Sequence, residues 1–191
     1  MSRWLHPVVI VLSAIPVVYL IYSVISGQSI DPIEDSLHTT GEWALIFLLL
    51  SLSVTPVVRS LKKPQFIRLR RTLGLICFTY ACLHLTTYIG LDQFFAWSFI
   101  IEDIFERPFI TIGMLAFLSL VPLAITSTKN MVKRLGKRWR QLHKLVYVAG
   151  VLAVIHFFWY TKADSIEPVV YAGFLIALLG WRIIRSAQKR T

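Results

Sequence analysis

The sequence predicts an all-α integral membrane protein built from six transmembrane helices. Of its 191 residues, 56% are hydrophobic, and the mean hydropathy is +0.66. A soluble domain of this length does not carry so much apolar sequence. The apolar residues form six continuous runs that lack the alternation of barrel strands, which favours helices across about 30 Å of hydrocarbon. The charged residues, finally, sort into alternate connections between these runs.

Helices one to three are predicted over residues 7–26, 43–58 and 72–90. Helix one follows Arg3 and resembles a signal peptide, but it is too long and lacks a small-residue cleavage site, so we expect it to be retained. Helix two is close to the short limit for a membrane crossing. Helix three begins directly after the basic residue Arg71. The outer connection between helices one and two, residues 27–42, is expected to be a loop.

Helices four to six are predicted over residues 108–127, 142–160 and 169–184, and the sixth is again short. The connection 91–107 contains Trp97 and Phe99, which predict a short helix at the membrane surface. We find no repeat, linker or low-complexity stretch, so residues 1–191 are expected to form a single domain.

Charge predicts the orientation of the helices. Of the 20 basic residues, 18 lie before helix one, between helices two and three, between four and five or at the start of five, or around the end of six, while Arg107 and Lys162 lie elsewhere. The acidic residues all lie in the other connections: Asp31, Glu34, Asp35, Glu42, Asp92, Glu102, Asp103, Glu106, Asp164 and Glu167. Lysine and arginine favour the cytoplasmic side, so both termini are predicted to be cytoplasmic. The net charge of +10 follows this sidedness, which indicates contact with anionic lipid and not with nucleic acid.

Two histidines are predicted to lie at one depth in the membrane. His84 is 13 residues from Arg71, and His156 is 13 residues from His143, so both lie about 20 Å from the cytoplasmic helix ends. Ionisable residues inside a membrane indicate function, and neutral imidazole is a preferred axial ligand of haem iron. A haem held between helices three and five by His84 and His156 is therefore predicted. The alternative is that they are buried histidines that hydrogen-bond to neighbouring helices.

The other histidines and the cysteines give weaker signals. His143 lies at the cytoplasmic edge, level with Arg71, where it could ligate a second haem, alternate with His156, contact a haem propionate or a flavin phosphate, or simply be interfacial. It lies about 140° around the helix from His156. His6 is interpreted as an interface anchor and His38 as a solvated residue of the acidic outer loop, with contact to a partner protein as the alternative for His38. Finally, the two cysteines, Cys77 and Cys82, are interpreted as packing residues.

Four segments resemble the MsrQ family, which lies within the ferric-reductase-like transmembrane group. They are Arg70-Arg71-Thr72-Leu73-Gly74-Leu75 with Phe78, Tyr80 and His84; Trp139-Arg140-Gln141-Leu142-His143-Lys144-Leu145 with Tyr147; Ile155-His156-Phe157; and Val54-Thr55-Pro56. The resemblance covers essentially the whole chain and implies one ferric-reductase-like transmembrane domain in a bacterial inner membrane.

This resemblance implies cofactors and partners. It implies haem b held by His84, His143 and His156, and bound FMN, for which no motif assigns a position. Two-haem members of the wider group carry a second histidine on helix three, where this chain has Arg71, so one haem is expected and a second is possible. Electrons are expected from the quinone pool or a cytosolic flavin reductase. The expected acceptor is a periplasmic, molybdopterin-containing MsrP-like subunit that carries the catalytic site for methionine sulfoxide.

The leading hypothesis is therefore an electron-transfer subunit with no catalytic residue of its own. The sequence contains no G-x-G-x-x-G or P-loop motif, so hydride transfer from NAD(P)H to this chain is not expected. One alternative is a transmembrane ferric or other metal reductase, or another b-type cytochrome. Another is a haem-handling or proton-linked transporter, which the scarcity of charges inside the helices disfavours.

Overall fold

The computed structural model describes residues 5–161 and 166–188, which are helical and contain no β-strand. The α-helices in these ranges are α1 Leu5–Ser13, α2 Ile15–Ile25, α3 Pro32–Ser60, α4 Leu69–Thr87, α5 Trp97–Glu106, α6 Pro108–Ile125, α7 Lys129–Leu135, α8 Lys137–Leu142, α9 Leu145–Tyr160 and α10 Glu167–Ala187. A 3-10 turn, Pro64–Arg68, precedes α4, and a π-helical turn, Tyr88–Asp92, follows it.

Six helical stretches in the described residues are long and apolar enough to cross a membrane. They are Leu5–Ile25, Pro32–Ser60, Pro64–Asp92, Pro108–Ile125, Lys137–Tyr160 and Glu167–Ala187. The predicted all-α architecture with six membrane-spanning helices is thereby confirmed. Five of the charges used for the orientation lie outside the described residues: Arg3, Lys162, Asp164, Lys189 and Arg190.

The first span is interrupted at Ala14, and α4 bonds to the residue just before the interruption. The chain leaves regular helix at Ala14, two residues before Pro16, because a proline ring clashes with the preceding turn and offers no backbone donor. The Tyr80 hydroxyl donates to the Ser13 carbonyl at 2.5 Å. Further along the same face, His6 Nδ1 lies 2.7 Å from the Thr72 hydroxyl, so the predicted interface anchor also joins α1 to α4.

The predicted outer loop 27–42 is wrong from residue 32 onward, because α3 begins there. The Asp31 carboxylate accepts hydrogen bonds from the backbone N–H groups of Ile33 and Glu34, at 3.1 and 3.0 Å, and Pro32 occupies the first helical position. This is a strong helix start, and the acidic first turn favours it further. Acidic residues that suggest a solvated loop therefore form the first turn of a helix.

Helix α5 confirms the predicted short helix in the third connection, with Trp97 and Phe99 both exposed. The basic connection 128–141, predicted as a loop, is largely helical, since it contains α7 and all but the last residue of α8. The fifth span is then interrupted at His143 and Lys144, between α8 and α9.

Two helix pairs organise the bundle: α3 packs mainly on α4, and α6 mainly on α9. Helix α3 lies at the centre, where Leu52 is fully buried against Val154 of α9 and Leu175 of α10. A second cluster surrounds Cys77, which is 1% exposed, in agreement with its predicted packing role. Many large apolar side chains on the outer faces are exposed, as expected for helices that face lipid.

Candidate functional site

The two helix pairs enclose a cavity of about 420 Å³. Its wall is mostly apolar and includes Leu45 and Leu48 of α3, Ala81 of α4, Phe117 of α6 and Ala153 of α9. Two histidines enter it from opposite pairs: His84 from α4 and His156 from α9. A largely apolar pocket with a few convergent polar groups is the usual form of a cofactor site.

The imidazole rings of His84 and His156 lie with their centroids 6.1 Å apart and their planes inclined at 77°. His84 Nδ1 is 2.9 Å from the Leu37 carbonyl oxygen, and His156 Nδ1 is 2.7 Å from that of Phe109. A carbonyl only accepts, so in the neutral ring Nδ1 carries the proton and donates it. The lone pair of each ring therefore lies on Nε2, which is free to bind a metal.

This donor set fits haem iron. Histidines that ligate metals commonly donate their second ring N–H to a backbone carbonyl, which fixes the tautomer and the ring orientation. Two metal–nitrogen bonds of about 2 Å each, together with the distance from each nitrogen to its ring centroid, come to about 6 Å. The two rings lie at that separation. The matching depths of His84 and His156 predicted that they would meet, and the structure brings them together.

The structure does not bring His143 and Arg71 to this cavity. His143 stacks on Trp139 with ring centroids 3.8 Å apart, and its Nδ1 lies 3.1 Å from the Trp139 carbonyl oxygen. The Trp139 indole donates in turn to the Thr126 carbonyl at 3.0 Å. Arg71 is exposed at the start of α4. Thr126, Trp139 and His143 therefore form a cluster that is separate from the cavity, at the basic ends of the helices.

The interpretation of His38 as a loop residue is wrong, because α3 extends past it, although its side chain is 38% exposed. His38 lines the cavity, contacts the Phe157 ring at 5.9 Å, and lies 3.9 Å from carboxylate oxygens of Glu42 and Glu167. The Tyr171 hydroxyl donates to Glu42 at 2.6 Å. Sequence reasoning missed this cluster, although positions 38, 41, 42 and 45 have the spacing of one helix face.

Arg107, Asp103 and Tyr88 form a second polar group at the mouth of the cavity. Asp103 Oδ1 is 3.1 Å from Arg107 Nε, and Asp103 Oδ2 accepts from the Tyr88 hydroxyl at 3.0 Å. The sequence did not single these residues out, and the one available signal was Arg107, a basic residue in an otherwise acidic connection. Asp31, Glu34 and Asp92 also line this end, so the cavity opens on the acidic side of the bundle.

The family model described as "Ferric reductase like transmembrane component" matches residues 40–154 of the chain. The matched segment includes α4 with His84 and ends two residues before His156. Together with the six apolar spans, this match defines a multi-pass membrane protein of the ferric-reductase-like transmembrane class.

Relatives named "Protein-methionine-sulfoxide reductase heme-binding subunit MsrQ" narrow the assignment. The Rhodospirillum rubrum protein is 53% identical over 162 residues, which are 84% of this chain and 77% of the relative. The Brucella anthropi protein is 49% identical over 172 residues, covering 90% and 78%, and that of Xanthomonas euvesicatoria pv. vesicatoria is 48% identical over 160, covering 84% and 73%. The chain belongs to the MsrQ family. No solved structure matches it significantly.

Proposed function

We propose that the chain is the haem-binding membrane subunit of a methionine sulfoxide reductase system and carries electrons across the membrane to a catalytic partner. The relatives are named as haem-binding subunits of protein-methionine-sulfoxide reductase. The observation that carries the proposal is the pair of histidines facing one another in an apolar cavity, each with Nδ1 on a backbone carbonyl.

His84 and His156 would hold a b-type haem through their Nε2 atoms, and the haem would supply one-electron transfer. The Leu37 and Phe109 carbonyls hold the Nδ1 protons and thereby raise the basicity of both rings toward the iron. With both histidines bound to the iron, the haem would have no coordination position open for oxygen or substrate, and it would supply electron transfer only. The apolar wall, including Leu45 and Phe117, excludes water from it.

The direction of transfer follows from the charges. Both termini are proposed to lie in the cytoplasm and the acidic connections outside the bacterial inner membrane. The cavity opens on the acidic side, so the haem would lie near the periplasmic end of the bundle, close to an acceptor there. The proposed acceptor is a molybdopterin-containing, MsrP-like catalytic subunit.

Electrons are proposed to enter at the basic side, from the quinone pool or a cytosolic flavin reductase, with bound FMN implied by the family. The stacked pair Trp139 and His143 lies in the basic segment 129–144, which carries seven positive charges. His143, with Arg71 near the same end of the bundle, is the proposed contact for a second haem or for the flavin.

Optical spectroscopy on the purified chain tests the proposal in two stages. The dithionite-reduced minus oxidised spectrum should show b-type haem. In air-free buffer, the reduced haem should be fully reoxidised only when methionine sulfoxide is added together with a sub-stoichiometric amount of the catalytic partner. The family model's description favours one second candidate, a metal reductase. If ferric citrate alone reoxidises the haem as fast as the partner with methionine sulfoxide does, the result would support the metal reductase and contradict the proposed acceptor.

A further inference from the structure

The two histidine sites are built from the same parts at the same spacing. Each histidine bonds a carbonyl 47 residues earlier in the chain, His84 that of Leu37 and His156 that of Phe109. A glycine stands one helical turn after each carbonyl residue, at Gly41 and Gly113. Helices α3 and α4 therefore form one half-site, and α6 and α9 form an equivalent one.

Each glycine touches the imidazole ring of its own half-site. A Cβ atom built on Gly113 would lie 2.8 Å from both Cε1 and Nδ1 of His156, closer than real Cβ atoms approach other atoms. A Cβ on Gly41 would lie 3.0 Å from the same two atoms of His84. In both half-sites Nδ1, which donates to the carbonyl, is one of the two ring atoms in closest approach. The absence of a side chain is what lets each ring reach its carbonyl.

The other glycines of the membrane-spanning helices do not share this role. At Gly173 and Gly180 in α10, a Cβ would meet no other described atom within 4 Å. Glycine weakens a helix interior relative to alanine, so its presence twice against a histidine has a packing reason. The interval that separates the two half-sites, 72 residues, also separates Arg71 from His143, so each half-site has a polar residue at the corresponding basic end.

We propose that Gly41 and Gly113 are positioning residues: the lack of a side chain leaves room for His84 and His156 to reach the Leu37 and Phe109 carbonyls, which sets the electron donation of both rings to the haem iron. The inference rests on the proposed haem ligation. A ring that donates a good Nδ1 hydrogen bond is a more basic ligand and stabilises ferric iron. Displacing the ring lengthens that bond, so the midpoint potential of the haem should rise.

Alanine substitutions test the inference in the full chain. Gly113→Ala and Gly41→Ala are compared with the matched controls Gly173→Ala and Gly180→Ala, which add the same methyl group in open space. Haem content, midpoint potential and the electron paramagnetic resonance of the ferric protein are measured, with helix content followed by circular dichroism. Alanine favours the helix at all four positions, so the fold is expected to persist.

Gly113→Ala should weaken haem binding by about tenfold or more, because the ligating histidine loses its Nδ1 hydrogen bond. If the haem stays bound, its midpoint potential should rise and its ferric g-values should shift. Gly41→Ala should cause smaller changes of the same sign, because its contact is less close, and the controls should match wild type. If Gly113→Ala folds poorly, the haem content, midpoint potential and g-values of Gly41→Ala test the inference instead. Unchanged potential and g-values in both variants, with full haem, would overturn the inference while leaving the haem proposal intact. A wild-type protein without haem would instead overturn the proposed function.

Discussion

The guanidinium of Arg182 donates to the carbonyl of Leu52 at 2.5 Å, across the interface between α10 and α3. Leu52 lies four residues before Pro56, which has no N–H, so α3 itself leaves this carbonyl without its usual partner. Arg182 also donates to the Leu178 carbonyl at 2.9 Å and lies over the Tyr147 ring at 5.4 Å. Arg182 thus supplies the donor that Pro56 lacks, and it joins α10 to α3 and α9.

Replacing this arginine should destabilise the bundle. We expect Arg182→Met to lower the free energy of unfolding by about 1–3 kcal/mol, because the buried Leu52 carbonyl loses its donor. Thermal unfolding in detergent, monitored by circular dichroism, measures the loss. Arg185→Met, on the same helix with an exposed side chain over the Trp181 ring, is the control and should change little.

A double-mutant cycle isolates the role of Pro56. In Pro56→Ala the new backbone N–H can bond the Leu52 carbonyl, so Arg182→Met should cost less in that background than in wild type. Equal costs in the two backgrounds would show that Arg182 does not act through this carbonyl.

The outer helix α5 should depend on Asp103. Its carboxylate holds Tyr88 and Arg107 together, at 3.0 and 3.1 Å, on either side of α5. We expect Asp103→Ala to speed hydrogen exchange in residues 97–106 with a global cost of no more than about 1 kcal/mol, since the Arg107 partner is exposed. Glu102→Ala, one residue away and exposed, is the matched control. Identical exchange in the two variants would contradict this role of Asp103.

His143→Ala should leave the haem of the central cavity in place, because His143 does not line that cavity. We expect the variant to retain the haem signal assigned to His84 and His156, and to lose any second haem or flavin that the Trp139 cluster holds. Haem and flavin quantification on the purified variant measures both. Complete loss of haem would show that His84 and His156 are not the ligand pair.

The proposed orientation can be checked by thiol labelling of intact cells. Glu106→Cys should react with a membrane-impermeant maleimide, whereas Lys133→Cys should react only after the membrane is opened; both positions are exposed. The wild-type protein is the background control for its two native cysteines, since Cys77 is buried but Cys82 is only partly buried. The opposite labelling pattern would contradict the proposed orientation, in which the acidic connections lie outside.

The six spans and the meeting of two histidines could be predicted because both depend on regular quantities. The length of each continuous apolar run indicates a membrane crossing. A rise of 1.5 Å per residue then converts the number of residues from the helix end into a depth for His84 and His156. Chain intervals alone could not reveal that helices three and five face each other, which depends on tertiary packing.

The start of α3 and the place of His38 were missed for a different reason. Acidic residues near a membrane edge suggest a loop, but Asp31 followed by Pro32 is a helix start, and a closer reading of caps could have found it. The roles of Gly41 and Gly113 and of the Leu37 and Phe109 carbonyls could not be predicted from local sequence, because each contact joins residues more than 40 positions apart.

Haem quantification in three histidine variants tests the central claim most directly. His84→Ala and His156→Ala should each lose most of the bound b-type haem, whereas His6→Ala, whose ring contacts Thr72 on another surface of α4, should keep it. The measurement is the pyridine haemochrome content per purified chain, with circular dichroism confirming an equal fold. Near-full haem in either cavity variant would contradict ligation by this pair.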